Sequence, residues 1–556
     1  MHHAARPGRL PALQVRVTLR QIHENKTHSL LFPTQARRMT RNILAILFLS
    51  ACIMANAQVN RHAYRNPTGK EFPILAWYSV LGDGNITPER YKELRNAGFN
   101  ISFSHFYDIE DMAKGLEAAQ GTGVKLMVMC DELEKNTAET VNRFKNDPMV
   151  AGWFLRDEPT SHEFGRLREF RDRVYSADTT HTVYLNLFPS YGDPAVRNDF
   201  LGAESYEDYA DKFVKEVGLP QISYDFYPVI EDVKENYVRP YFYENLEVIR
   251  RVARRHGMPF WAFVMSTEHG PYPLPSGAHL RYEAFSALAY GAQCIQYFTY
   301  WTPIDPHFNY RNAPISKDGR RTHVYYLAKE LNREIQNLAF VFLGAEAVDV
   351  WHTGSYILKG TTPLQTPPAP FTDIKVDGEG IVVSHLVNSG SHYLMIVNRD
   401  INRAQNVTIE NSKAVKRIMP DGSQKREKSG RHTLPLAPGG YLLYKFAYRH
   451  GGKPRRSALP NTKPKHKTIP VRRSPGLVSF GVKTHGTQEK ICPTYFKICR
   501  TYFKLSQTYF SALENRASAQ QTKAEKIHTH PERQPERNAG RRQNFCALRD
   551  FRNTKT

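Results

Sequence analysis

Between Ile74 and Leu338 the chain alternates eight times between a short apolar run and an amphipathic stretch, and this alternation constrains the fold more than any other feature. The runs rich in β-branched and aromatic residues predict strands within 74–80, 100–106, 125–130, 150–155, 182–187, 221–227, 259–265 and 292–299. Helical periodicity predicts helices within 110–119, 137–144, 162–175, 206–217, 243–256, 279–290 and 322–338. An earlier helix opens at Thr87-Pro88, as N-cap and first turn, and closes at Gly98. Strands without a polar face need cover on both sides, which a parallel sheet between helices supplies. Eight such units in about 265 residues fit a (β/α)8 barrel better than an open doubly wound sheet. The segment Leu81-Gly82-Asp83-Gly84-Asn85 lacks the third glycine of a dinucleotide fingerprint, which argues against a Rossmann domain.

After Leu338 the texture changes to short strand candidates within 348–351, 380–386, 392–398, 406–409 and 440–446. Turn clusters such as Asn388-Ser389-Gly390 and Pro420-Asp421-Gly422 separate them. The expected organisation is a barrel over 58–338 followed by a small all-β, sandwich-like domain over 339–448, with the Pro-rich stretch 361–372 as a surface loop.

A formal net charge of +22 would ordinarily point to a nucleic-acid partner. Its distribution argues otherwise. Residues 449–556 carry +18 and residues 1–38 carry +6, which leaves Met39–Tyr448 at −2. The terminal stretch has no core pattern, although Thr-Tyr-Phe recurs at 494, 501 and 508, and reads as a disordered or spurious extension. Residues 39–58 read as a signal peptide, with Arg41, an apolar run over 43–54 too short to span a bilayer, and a cleavage site at Ala55-Asn56-Ala57. Export to the periplasm or the outside is therefore expected, with Met39 as the start and 1–38 a spurious extension. Leu49-Ser50-Ala51-Cys52 also resembles a lipobox, which would make Cys52 a lipid anchor on the outer membrane. Of six cysteines only Cys130 and Cys294 fall in the barrel, on the third and eighth predicted strands. Those strands are not neighbours, so no disulfide is expected. No metal-ligand cluster stands out, and neither a metal nor another cofactor is expected.

A barrel of this kind builds its site at the C-terminal strand ends. There the sequence puts Ser104-His105-Phe106, Asp131-Glu132, Arg156-Asp157-Glu158-Pro159, Asn186, Tyr224-Asp225-Phe226-Tyr227, Glu268-His269 and Tyr300-Trp301. Carboxylates, amides and aromatics together suit a neutral polyhydroxylated ligand, because aromatic faces stack on the C–H side of sugar rings while polar groups hold hydroxyls. Glu158 and Glu268, after the fourth and seventh strands, offer the two carboxyls that glycoside hydrolysis needs.

Asp157-Glu158-Pro159 after the fourth strand, with a glutamate after the seventh, resembles clan A of the glycoside hydrolases, most of all the β-galactosidase-type family 42 and its relatives. The resemblance spans Ile74 to about Leu338. It implies a retaining enzyme that cleaves a β-linked sugar from an oligo- or polysaccharide, with Glu158 as acid/base and Glu268 as nucleophile, and the leader over 39–57 makes a secreted one the expectation. It also implies a Tyr227 hydroxyl bonded to the nucleophile and an aromatic platform at Trp301. Asp157, Asn186, His105 and Asp131 complete the substrate-binding candidates. Retaining chemistry would place the two glutamate carboxyls about 5–5.5 Å apart. The pattern departs at Asp157, where the clan has an asparagine that donates to the sugar's 2-hydroxyl, since an ionised aspartate only accepts.

Other readings stay open. Asp157-Glu158 also fits an acidic pair at a helix N-terminus, Asp131 and Glu132 fit a helix cap, and His105, His269, Tyr227 and Trp301 fit packing roles. A carbohydrate-binding barrel without turnover fits the same residues, whereas a nucleic-acid-binding protein conflicts with the near-neutral body. Truncation after Tyr448 should leave the melting midpoint within a few degrees of the full chain. Collapse of the melt would show that the basic stretch packs on the domains.

Overall fold

The computed structural model describes residues 62–448, apart from 81, 83, 107, 306 and 307. The expected signal peptide, the Cys52 lipobox and the basic stretch lie outside the described residues. Eight parallel strands form the first sheet: β1 (Ile74–Trp77), β2 (Ile101–Phe103), β3 (Lys125–Val128), β4 (Val150–Asp157), β5 (Thr182–Asn186), β6 (Ile222–Tyr224), β9 (Phe260–Met265) and β10 (Cys294–Phe298). A two-stranded hairpin, β7 (Val229–Ile230) and β8 (Tyr237–Val238), rises between β6 and β9. The order around the sheet is β5-β4-β3-β2-β1-β10-β9-β6. Its two ends meet where Leu187 N–H donates to Ser223 O at 2.9 Å and Leu187 pairs with Tyr224. The chain is a (β/α)8 barrel.

Side chains alternate across each strand. Leu75, Trp77, Phe103, Met127, Phe154, Tyr184, Trp261 and Phe263 fill the barrel interior. Ile74, Ala76, Leu126, Val183, Ile222, Val264 and Ile295 face the surrounding helices. The first of these helices, Pro88–Asn96, starts where the Thr87 hydroxyl accepts from Arg90 N–H. It ends at Gly98, whose φ of +85° and closeness to Asn332 leave no room for a side chain.

Apart from β4, which runs on to Asp157, the strands are shorter than the apolar runs because the runs continue into mouth residues such as Val80, Phe106 and Tyr227, which are buried without being in strands. Helices Asp131–Lys135, Pro194–Leu201 and Ala339–Phe342 are additional to those expected. The stretch 206–217 splits into an α-helix, Tyr206–Lys212, and one π turn, Phe213–Val217. Cys130 precedes the helix Asp131–Lys135 instead of ending β3, and both Cys130 and Cys294 are buried and free.

Nine antiparallel strands follow. Six form one sheet, β11 (Glu346–Thr353), β13 (Ile381–Asn388), β14 (Ser391–Asn398), β19 (Tyr441–Phe446), β16 (Val415–Ile418) and β17 (Gln424–Glu427), in that order. Three form another, β12 (Phe371–Val376), β15 (Gln405–Asn411) and β18 (Gly430–Leu436). Ile374, Ile381, Val383, Ile396, Val407 and Ile409 make the core of this β region. The opposite face of β13 and β14 joins the barrel's outer core through Val382, Leu386, Met395 and Val397. Ser384 Oγ donates to Ala289 O at 2.6 Å, and Asn388 Nδ2 donates to the carbonyls of Phe340, Val341 and Leu343. The sequence signal missed β12, β16, β17 and β18. β17 and β18 are largely exposed and carry few apolar residues.

Among the described residues no helix is long and apolar enough to cross a membrane. Within the barrel strands the tight backbone approach is at Gly152, where an added Cβ would lie 2.5 Å from Thr182 O and 2.7 Å from its methyl carbon. Gly152→Ala should therefore force β4 and β5 apart and destabilise the protein by about 1–3 kcal/mol, read as a lower midpoint in thermal or urea unfolding. An unchanged midpoint would mean that the seam yields freely.

Candidate active site

The pairing of β4 with β5 is in register at Phe154–Tyr184 and resumes at Asp157–Asn186, so β4 contains one extra residue. Such a bulge re-aims the side chains beyond it. Glu158 follows with φ +46°, in the left-handed region that a residue with a Cβ seldom occupies, and its N–H donates to Asn186 O at 2.8 Å. Successive residues of a regular strand point to opposite faces. Here the bulge and the left-handed turn bring Asp157 and Glu158 into one cluster with Asp225, the residue after β6.

Asn186 joins the members of this cluster. Its Nδ2 donates to Asp225 Oδ1 at 3.1 Å and, more weakly, to Asp157 Oδ1 at 3.4 Å. Its Oδ1 accepts from Ser223 Oγ at 2.8 Å. Ser223 Oγ in turn accepts from Gln296 Nε2 at 2.9 Å, and Gln296 Oε1 accepts from the Tyr184 hydroxyl at 2.6 Å. Every donor in this chain points the same way, which orients the Asn186 amide with its N–H groups toward the carboxyls. Tyr184, Gln296 and Ser223 are fully buried, so the chain crosses the barrel interior from β5 through β10 to β6.

Glu158, Asp225 and Asn186 are buried and Asp157 is half-buried. Burial, followed by the charges of Asp225 and Asp157, holds the Glu158 carboxyl well above the usual carboxylate range. Burial raises Asp157 to about 7 against the hydrogen bond from Asn186 and the charge of Arg156. Burial and the Asp157 charge raise Asp225 to about 8.

Glu268 lies three residues beyond β9 in a different setting. Its backbone pairs with Arg311, N–H to O at 2.9 Å and O to N–H at 2.8 Å. Its Oε1 accepts from Arg311 Nη2 at 2.5 Å and its Oε2 from Asn312 Nδ2 at 2.7 Å. Among the described residues the two glutamates share no partner. The Tyr227 ring lies against Phe263, Tyr272 and Phe298, and its hydroxyl feels Asp225, Glu158 and Asp157. The bonds that Glu268 accepts come from Arg311 and Asn312, not from Tyr227.

The remaining candidates are spread out. His105 sits edge-on to Trp77, Phe103 and Phe154, and burial lowers its pKa to about 4, so it is neutral. His269 is buried against Tyr272 and Tyr310 and is likewise lowered to about 4. Asp131 opens its helix with an exposed carboxylate that accepts from Lys135 at 3.0 Å, and the bonds that tie the cluster together do not include it. Trp301 is 3% exposed, lies in the outer core and is covered by the Arg90 guanidinium at 5.0 Å. The aromatic residues that remain partly exposed against the inner core are Tyr64, Tyr78 and Phe298.

Sequence reasoning gave no role to Asp225, Ser223, Gln296, Arg311 or Asn312. Ser223 and Gln296 were visible as polar residues inside otherwise apolar strands. Arg311 and Asn312 had no signal, since their long loop returns to β9 only in the folded barrel. No group of three or more His, Cys, Asp or Glu arranged to hold a metal ion occurs among the described residues.

No protein-family model matches the chain, and no curated protein matches it. Solved structures resemble it in fold. A β-galactosidase from Bacillus circulans sp. alkalophilus is 11% identical, with 68% of this chain and 99% of that one covered and a TM-score of 0.47. A catalytic mutant of a GH42 β-galactosidase from G. stearothermophilus is 9% identical, with 69% and 99% covered and a TM-score of 0.46. A glucosidase from Croceicoccus marinus is 10% identical, with 68% and 95% covered and a TM-score of 0.35.

The carboxyl cluster has a consequence for stability. Acids that hold protons more tightly in the folded than in the unfolded state stabilise the fold at low pH. That contribution is complete below about pH 4, the unfolded value, and is lost as pH rises through the folded values, about 7 for Asp157 and about 8 for Asp225. The melting midpoint of the wild type should therefore fall more steeply than that of Asp225→Asn between about pH 5 and about pH 9. Parallel curves for the two proteins would contradict the shared burial of these acids.

Proposed function

We propose that the protein is a glycoside hydrolase in which Glu158 protonates the departing glycosidic oxygen. The observation that carries this reading is a buried glutamate at the C-terminal end of the fourth barrel strand, its carboxyl held well above the usual carboxylate range by burial and by two neighbouring carboxyls. A general acid needs such a raised pKa. The partly exposed faces of Tyr78 and Phe298 offer stacking surfaces for a sugar ring.

The finer reading is a retaining, double-displacement enzyme acting on a β-linked sugar. Glu268 attacks the anomeric carbon with one oxygen while Arg311 or Asn312 keeps the other, and Glu158 gives its proton to the leaving oxygen. A water then yields a proton to the Glu158 carboxylate, its oxygen attacks the anomeric carbon, and the ester bond to Glu268 breaks. Below about pH 7 Asp157 carries a proton, so it can donate to a sugar hydroxyl where the clan has an asparagine. The expected leader over 39–57 would deliver the enzyme to oligo- or polysaccharides outside the cytoplasm, as a released or lipid-anchored protein.

A second reading, a carbohydrate-binding barrel without turnover, is favoured by one observation. Both Glu268 oxygens already hold donors.

A panel of aryl β-glycosides separates the two. The wild type should turn over at least one of them with retention, and Glu268→Gln should abolish turnover. Glu158→Gln should slow substrates with poor leaving groups by roughly 10²–10⁴-fold in the first step while sparing activated ones. Azide should rescue Glu158→Ala and give a β-glycosyl azide. Saturable sugar binding with no turnover of any glycoside would establish the second reading instead.

A further inference from the structure

Three acidic side chains meet at the mouth of the barrel, and the supply of hydrogen-bond donors there is small. The Asn186 side-chain amide is aimed into the cluster, and its Nδ2 serves Asp225 and Asp157. Glu158 Oε1 is buried and receives no N–H or O–H donor from the described residues. The neighbouring group that bears most on the Glu158 carboxyl is Asp225, the acid that the Asn186 amide holds at 3.1 Å. Two carboxyls can bond to each other only through a proton that one of them carries, and close carboxyls cannot both ionise at ordinary cost.

We propose that Asp225, held in place by the Asn186 amide, is the positioning residue of the acid: it accepts the proton-bearing hydroxyl of Glu158 in the resting site and keeps that carboxyl loaded and aimed. The inference rests on the reading of Glu158 as the general acid. It adds a residue on another strand, brought to Glu158 by the closure of β5 on β6.

The surroundings of Glu158 support the assignment. From β4 comes Asp157, and Arg156 acts on Asp157 while pairing with Glu163 at 3.4 Å. From the loop after β6 come Asp225 and Tyr227, and from the helix Tyr206–Lys212 come Tyr206 and Tyr209. Tyr184, Tyr191 and Tyr224 also face Asp225. Burial raises all of these tyrosines, so they stay neutral. No cation in this set bears on Glu158 directly, and the shared proton is left as the means of relieving the Glu158–Asp225 repulsion.

The same contact serves both halves of a double displacement. While Glu158 is protonated, its hydroxyl is fixed on Asp225 until a leaving oxygen takes the proton. Once the proton has gone, the Glu158 carboxylate faces the Asp225 carboxyl beside Asn186 and takes a proton from the incoming water, which restores the starting state.

The test reads the Glu158 proton directly, so it does not depend on turnover. In the wild type at neutral pH, infrared titration should show the band of a protonated carboxyl that is lost in Glu158→Gln. In Asp225→Asn, and in Asp225→Ser as a smaller replacement, the midpoint of that band should fall by about one pH unit or more. Asp225→Glu should restore part of the shift. Where turnover is measurable, the high-pH limb of the rate profile should move down with it, and kcat for poor leaving groups should drop while KM holds. Absence of the band from the wild type at neutral pH would overturn the proposal, as would an unmoved midpoint in a folded Asp225 variant. If the infrared shift occurs but no glycoside is hydrolysed, the positioning contact stands and the glycosidase reading fails.

Discussion

Asn186 lends both hydrogens of one amide to two carboxyls, and much of the barrel mouth is arranged to keep that amide oriented. Its carbonyl oxygen is fixed by Ser223, Ser223 by Gln296, and Gln296 by the Tyr184 hydroxyl. These residues come from three strands, so the orientation depends on the closed barrel. The backbone seam that brings β5 to β6 is narrow, a single bridge and one main-chain hydrogen bond from Leu187 to Ser223. A polar chain in an apolar interior is costly unless every member is satisfied. Here each member has its partner, and the chain ends on groups able to hold protons.

The placement of the acids depends on a local breach of strand regularity. With regular alternation Asp157 and Glu158 would point to opposite faces. The extra residue in β4 and the left-handed turn at Glu158 remove that alternation where the strand leaves the sheet. Strained or irregular backbone of this kind persists only where surrounding contacts hold it. The bond from Glu158 N–H to Asn186 O is one such contact. The β region contributes at a distance, since β13 and β14 cover the helix Gly277–Ala289 and seal the outer core behind β9.

The fold class was legible from the sequence because eight apolar runs without a polar face can be buried only in a parallel sheet wrapped by helices. Strand positions followed from the same pattern. Their ends did not, because residues such as Phe106 and Tyr227 are apolar for the sake of the mouth and not of a strand. The β region was legible only in part. Its central strands are apolar on both faces, being packed on the barrel and on the second sheet, whereas β17 and β18 carry mainly exposed residues and leave little hydrophobic trace.

For the site, the sequence by itself determined which chemistry-bearing residues stand at strand ends, Glu158 and Asn186 among them, because barrel topology assigns every strand end to one face. Only the tertiary structure decided which of them meet. Asp225 joins Glu158, whereas Glu268 is held by Arg311 and Asn312, and Asp131 is taken by Lys135. Trp301 is turned into the outer core beneath Arg90. The physical reason is that the alternation of apolar residues specifies burial. The contact between two polar groups depends on a bulge, a seam and a returning loop, which leave no periodic mark on the chain.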